Sequence, residues 1–376
     1  MDILESYRAR SVPKEMAFSE VEYRGRLARV RRGMDAQGLD LLLLHHLPSV
    51  CYLTGYQTPV SDWYNCLIVA PNGPLTLQVC DLEVGLALVH TTVERILSVG
   101  WNRMDEAAVQ LLDLLREVCV DRRRIGIEPR RTGLNAHTYQ LLRDTFPKAD
   151  LVDASDLVPR VRAVKSPAEL ECLRQAGRFS VAAMEAAVRA MRPGVTENGI
   201  AAAAVAAMIE AGSEFFCTDP WLRAGHRSGI IHATYKRHFV KLGDPVIIEL
   251  GGVYQRYTAP LYATAVIGRP SDRLRRLADV ALATLALLYE NVRAGRTAHE
   301  VARAAAKGLA GVDPEVYLSE YHAYPVGLGF PPEWSEDSIW IVEGSEESSS
   351  PARPSTECGR SGSRGSWPPA SARRSP

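Results

Sequence analysis

Apolar positions along the chain fall into two regimes. In the first, short apolar runs of strand length alternate with segments whose apolar residues recur every three to four positions. Ser19 and Glu22 stand three apart, the spacing of a capping box, and Tyr23, Leu27, Val30 and Met34 then share one helical face. Gly38 ends that helix, and Leu39 to His45 reads as a buried strand. Further strand-like runs lie at Cys66 to Ala70, Leu75 to Val79, Arg95 to Val99 and Arg124 to Ile127. Helical periodicity fills Glu106 to Val118 and Asn135 to Thr145. The alternation predicts a small α/β domain over residues 1–160.

From residue 161 the segments lengthen. Ser166 caps a helix, Pro167 takes its first position and Glu169 completes a capping box. Val181, Met184, Val188 and Met191 form an apolar stripe expected to face the core, and Pro193-Gly194 stops the helix. Met191 to Glu197 (MRPGVTE), opening an Ala-rich helix to Ala211, is echoed by Val292 to Ala298 (VRAGRTA), opening another to Ala310. The second copy follows a long amphipathic helix, Asp272 to Val292. Each copy therefore predicts helix, turn, helix and antiparallel strands. Strands of the second copy begin at Tyr324 to Phe330 and Ile339 to Val342, and the pattern then stops. An α/β (α+β) protein with an internal pseudo-two-fold repeat over residues 161–343, its second copy truncated, is the expectation.

Beyond Val342 the chain has no Val, Ile, Leu, Phe, Met or Tyr. Such a sequence buries too little apolar surface to offset its ordering entropy, so residues 344–376 are expected to be disordered. A natural flexible tail is the plainer explanation. A frameshift near Glu347 in a GC-rich gene is the sharper one, because the tail replaces strands that the repeat requires.

Composition narrows the partners. Lys+Arg and Asp+Glu both number 44, so no polyanion is implied, and the arginine-rich spots are scattered over solvated faces. Seven cysteines without metal-like spacing fit a reducing compartment. The first residues lack the apolar core of a signal peptide, and no run reaches the length of a membrane span. A cytoplasmic protein acting on a small molecule, with neither nucleic acid nor membrane as partner, is expected.

The segment from Ala224 to Gly268 concentrates the candidate chemistry. His232 precedes a Gly-Asp-Pro turn (Gly243 to Pro245), and Glu249 ends the apolar run Val246, Ile247, Ile248. A carboxylate placed there is costly unless paired or employed. The layout resembles the catalytic half of the creatinase, prolidase and aminopeptidase P superfamily (peptidase M24), whose domain has the pita-bread fold and follows a creatinase-type N-terminal domain. Most members hold two metal ions on two Asp, one His and two Glu. On that resemblance Glu249 takes the first Asp position, while Pro260, eleven residues on, takes the second and offers no donor. Tyr324, in AYPVGLGFPPEW, stands where the relatives have the histidine, and their glutamates would lie in the missing strands. The resemblance therefore implies no metal centre; a single ion on His232, Glu249 and His322 is the weaker option.

Creatinase resembles this pattern as a metal-free member with a histidine at the position of His232. The phrase YPVGLGFPPEW and the pair Pro260-Leu261 are similar to the ectoine hydrolase group. What the resemblance implies is hydrolysis of a C–N bond in a small zwitterionic or amidine compound. His232 would transfer protons, and Glu249 would orient it, polarise water or attack directly. Tyr257, Tyr262 and Tyr324 are candidate hydrogen-bond donors to the substrate, with His322 beside them. Arg227 is either a clamp for a substrate carboxylate or one half of an ordinary ion pair. Relatives often form homodimers in which an aromatic loop reaches the partner's site, which makes Trp63 a further candidate. The rival expectations are a metal-dependent Xaa-Pro peptidase using manganese or cobalt, and a binding protein without turnover.

Overall fold

The computed structural model describes residues 3–9, 12–103, 105–118, 120, 123–345 and 355–356. It divides into two compact units, Met1–Arg162 and Ala163–Pro376. Most of the tail for which disorder or a frameshift is expected lies outside the described residues. Among the described residues no helix is long and apolar enough to cross a membrane.

The first unit is a mixed sheet with helices. Its strands are β1 (Leu41–Leu44), β2 (Asn65–Val69), β3 (Thr76–Cys80), β4 (Arg95–Val99), β5 (Arg124–Ile127) and β6 (Asp150–Asp153), in the order β4-β3-β2-β1-β5-β6. β1, β2 and β3 pair antiparallel, and the remaining pairs are parallel. The helices are α1 (Ile3–Ala9), α2 (Glu20–Ala36), α3 (Leu47–Thr54), α4 (Val84–His90), α5 (Glu106–Glu117), α6 (Ala136–Thr145) and α7 (Leu157–Arg162). Ser19 caps α2 as expected, but Arg26 rather than Leu27 joins its buried face. The guanidinium lies over the Phe18 ring, 4.1 Å from its centroid, and bonds Glu22. Arg26 is thus buried through cation–π and ion pairing, which an apolar periodicity does not register.

The second unit opens on α8 (Pro167–Ala190) and α9 (Glu197–Glu210), followed by strands β7 (Trp221–Ala224), β8 (Pro245–Tyr254) and β9 (Tyr257–Val266). The second half supplies α10 (Asp272–Asn291), α11 (Ala298–Ala306), β10 (Tyr321–Phe330), β11 (Glu333–Ser335), β12 (Ile341–Val342) and the short β13 (Ser355–Thr356). The sheet runs β11-β10-β9-β8-β7, with β12 and β13 also paired to β10. Helix, turn, helix and antiparallel strands thus occur twice. Both copies start α9 and α11 with a threonine cap, Thr196 and Thr297.

The expected stripe on α8 is corrected. Val181 and Val188 are each 48% exposed, and the buried line is Ala176, Phe179, Ser180, Ala183, Met184 and Ala187. The reason is close approach. A Cβ on Gly252 would sit 2.6 Å from the Ala176 carbonyl and 2.7 Å from the Phe179 Cβ, so the α8 face that carries Ala176, Phe179 and Ser180 lies against β8 and Val181 and Val188 fall outside it. Ser180 secures the contact: its hydroxyl accepts from the Gly252 N–H at 2.7 Å and donates to the Ala259 carbonyl at 2.5 Å. Leu222, Ala224, Val246, Ile248 and Leu250 point into the same helix-covered core. Side chains alternate along a strand, so Trp221, Arg223, Ile247, Glu249 and Gly251 point to the other face.

Candidate functional site

The hairpin β8–β9 sets the geometry of that face. Gln255 and Arg256 both have positive φ (50° and 65°), the signature of a type I′ turn. Neither is glycine or asparagine. The Glu214 carboxylate holds the turn instead, accepting from both backbone N–H groups at 2.7 and 3.3 Å. A two-residue turn makes Tyr254 and Tyr257 a hydrogen-bonded pair, and the ladder then alternates. Glu249 and Tyr262 consequently form a non-hydrogen-bonded pair, where facing side chains come closest. On the opposite side of β8, Trp221 is the register partner of Glu249, and Arg223 that of Ile247.

Glu249 is 3% exposed, and its Oε2 lies 3.9 Å from Nη1 of Arg223, itself 2% exposed. That separation is a Coulombic contact beyond hydrogen-bond length. Burial lowers the Arg223 pKa from its usual value, and Glu249 and Tyr262 partly oppose the shift. The Tyr262 hydroxyl is 3.1 Å from that of Tyr324, which is wholly buried on β10. Ala323 packs into the α11 core, so Tyr324 points the other way, toward this face. His322 is buried at a register shift of β10, between Tyr321 opposite Val342 and Ala323 opposite Ile341. Burial lowers the His322 pKa, and Glu343 partly opposes the shift.

His232 sits on an exposed loop with φ of 61°, a left-handed backbone uncommon for histidine. Its ring centroid is 4.1 Å from that of Trp221, which in turn is 5.0 Å from Trp334. The loop is pinned from α9. Buried Glu197 accepts from the Ala224 and Lys236 N–H groups and from Arg227 Nε at 3.1 Å, while Arg227 Nη2 donates to the Thr234 carbonyl. His232, by way of Trp221, and Glu249, Tyr262 and Tyr324 therefore share one face.

Three other expected residues are placed differently. Arg227 is engaged by Glu197 and Thr234, as the ion-pair reading anticipates. Tyr257 is buried on the helix side, donating to Glu169 at 2.8 Å. Trp63 belongs to the first unit, half-buried beside Asn65. The residue that sequence reasoning missed is Arg223, because Cys217 to Gly229 reads as a loop. Its signal was the four-residue alternation Trp-Leu-Arg-Ala, two apolar positions facing the helices and two the site.

The donor set does not fit a two-metal centre. At the two positions where the resemblance expects further ligands, Pro260 and Tyr324 offer neither carboxylate nor imidazole, and a guanidinium stands beside Glu249. Trp334, 1% exposed, packs over Gly251, where an added Cβ would meet its ring at 3.2 Å. Among the described residues no group of three or more His, Cys, Asp or Glu is arranged to hold an ion.

Residues 171–345 match the family model of metallopeptidase family M24, and residues 26–164 that of the creatinase/prolidase N-terminal domain. The chain is 25% identical over 342 residues to the ectoine hydrolase of Halomonas elongata, covering 86% of this chain and 85% of that protein. It is 24% identical over 298 residues to the Xaa-Pro dipeptidase of Pyrococcus horikoshii, covering 78% and 79%. The fold matches the crystal structure of the X-Pro aminopeptidase from Thermotoga maritima, with TM-score 0.75, 21% identity and 87% of both chains covered. Both domain models, in their order along the chain, and the duplicated helix-and-strand unit place this protein in the creatinase/prolidase superfamily of peptidase family M24, with the pita-bread fold.

Proposed function

We propose that this member of a hydrolase superfamily cleaves a C–N bond in a small zwitterionic or amidine compound without a bound metal. The observation that carries the reading is the Arg223–Glu249 pair, which puts a fixed cation beside the one carboxylate that the resemblance assigns to a metal-ligand position. His232, whose ring lies 4.1 Å from that of Trp221, takes a proton from water and returns it to the leaving nitrogen. The water oxygen bonds to the amidine or amide carbon, the C–N bond breaks, and the nitrogen leaves protonated. Glu249 orients the water or the imidazole, and the paired hydroxyls of Tyr262 and Tyr324 face the developing oxyanion. The chain is expected to work as a homodimer.

Likeness to an ectoine hydrolase suggests the first substrate, a cyclic amidine bearing a carboxylate. Purified protein is incubated with ectoine, with and without EDTA, and separately with an Xaa-Pro dipeptide plus Mn²⁺ or Co²⁺. Ring opening insensitive to EDTA supports the proposal. Dipeptide cleavage that requires the metal replaces it with the peptidase reading, and binding without turnover replaces it with a binding protein.

A further inference from the structure

Among the described residues, Arg223 has buried donors that nothing accepts. Its side chain is 2% exposed, yet Nε and Nη1 make no hydrogen bond. Buried guanidinium groups are normally held in bidentate fashion by carboxylates or by several carbonyls. Buried Arg256, by contrast, is held through both terminal nitrogens, donating to the Phe215 and Gly329 carbonyls at 2.7 and 2.9 Å. Glu249 lies at 3.9 Å and compensates the charge of Arg223 without occupying its donors. The face on which both lie runs across the strands from Arg223 through Ile247 to Thr264, which is exposed.

We infer that Arg223 is the residue that orients the substrate, receiving its carboxylate on the unused guanidinium donors while Glu249 receives its N–H-bearing cationic end. The pair is thus a fixed dipole complementary to a zwitterion in one orientation. This deepens the proposed function by assigning the substrate class to named groups, and it rests on that reading for the chemistry though not for the binding. A carboxylate on Arg223 makes charge-assisted bonds in a site shielded from water, where they are stronger than at the surface. A neutral isostere forfeits them. A free anion gains from Arg223 but is repelled by Glu249, so a zwitterion binds better than an anion of the same size.

The test is a binding titration read by tryptophan fluorescence, since Trp221 lies two residues from Arg223 on the same face. The ligands are acetate, β-alanine and acetamide, added to the full-length chain and to Arg223→Gln, Glu249→Gln and Arg178→Gln variants. Arg178 is exposed on α8 and serves as the control. Removing one charge-assisted interaction should weaken β-alanine and acetate by about 10- to 100-fold in Arg223→Gln. Glu249→Gln should weaken β-alanine while leaving acetate unchanged or tighter, and acetamide should bind weakly throughout. Equal affinity for acetate in the wild type and Arg223→Gln would overturn the assignment, as would acetamide binding as well as acetate. If either single variant does not fold, Arg223→Gln/Glu249→Gln removes both charges together and should lose the preference for β-alanine over acetamide; its retention overturns the inference. Turnover is not needed, so a failure to open ectoine would reject the proposed reaction and leave this result standing.

Discussion

Lys165 and Glu336 form an ion pair of 2.7 Å between side chains that are 1% and 2% exposed. Glu336 also accepts the Leu328 N–H at 3.0 Å, fastening the strand end behind Trp334 to β10. At an effective dielectric of about 20, charges at this distance attract by about 6 kcal/mol, while desolvation costs several kcal/mol per ion. The net value of the pair is therefore small, but removing one partner strands the other charge in the interior. Lys165→Met or Glu336→Gln alone should each cost about 3–5 kcal/mol. The double variant keeps a glutamine acceptor for Leu328 and should stay within about 1–2 kcal/mol of the wild type. Urea unfolding by tryptophan fluorescence, fitted with separate transitions for the two units, measures all four proteins. The coupling should exceed about 3 kcal/mol, the top of the range usual for residues in contact. A Lys165→Met cost below about 1 kcal/mol, or a double variant equal to the sum of the singles, would refute the reasoning.

His232→Asn should lower kcat/KM for C–N cleavage by about 10²- to 10⁴-fold with an unchanged melting temperature, because asparagine tolerates the positive φ and the position is exposed; retained turnover removes His232 from the mechanism. Arg227→Met should lower stability by about 2–4 kcal/mol through the stranded buried carboxylate of Glu197; a raised KM with unchanged stability would restore the carboxylate-clamp role. Burial lowers the His45 pKa to about 4, so the folded state opposes protonation. The stability at stake is complete above about pH 6.5 and is lost as pH falls toward 4, a total of about 3 kcal/mol. His45→Phe should remove that share of the acid sensitivity when unfolding is compared at pH 7 and 4.5.

Sequence patterns located the elements whose signals are local. The Ser166–Glu169 capping box forms as read, and β8 lies where Val246 to Glu249 reads as a buried strand. Signals failed where tertiary context overrides periodicity. On α8 the buried line is the face that carries Ala176, Phe179 and Ser180, which lies close against Gly252 of β8, and Val181 and Val188 fall outside it. β7 is four residues long and contains an arginine, so its pattern is weaker than the Asp219-Pro220 turn signal before it. His232 and Glu249 were found through the family pattern; periodicity alone gives no reason to prefer His232 over His238. Lys165 and Glu336 stand 171 positions apart, and nothing local marks either as buried.

Pro260 brings these strands together. A proline inside a sheet is tolerated only where its missing N–H would have met no partner. Counting from the Gln255–Arg256 turn, Pro260 and Gly251 form a non-hydrogen-bonded pair, so an N–H at 260 would point away from β8. On that side β10 pairs with β9 near the hairpin end, Leu328 opposite Tyr257, and Pro260 lies three residues beyond that register point. The proline thus fits without costing a ladder bond, and the sheet holds its shape with no donor side chain at this position. Two pairs further along, the same alternation brings Glu249 and Tyr262 into closest approach, with Arg223 across β8. On the resemblance, a metal-binding relative would have carboxylates at the positions of Glu249 and Pro260. This chain has a carboxylate and a guanidinium converging at 249 and 223, one pair of strands over. On the proposed function, the fold is kept while the charge that faces the substrate is a side chain in place of a bound ion. The change predicts a preference for ligands that bring their own negative group.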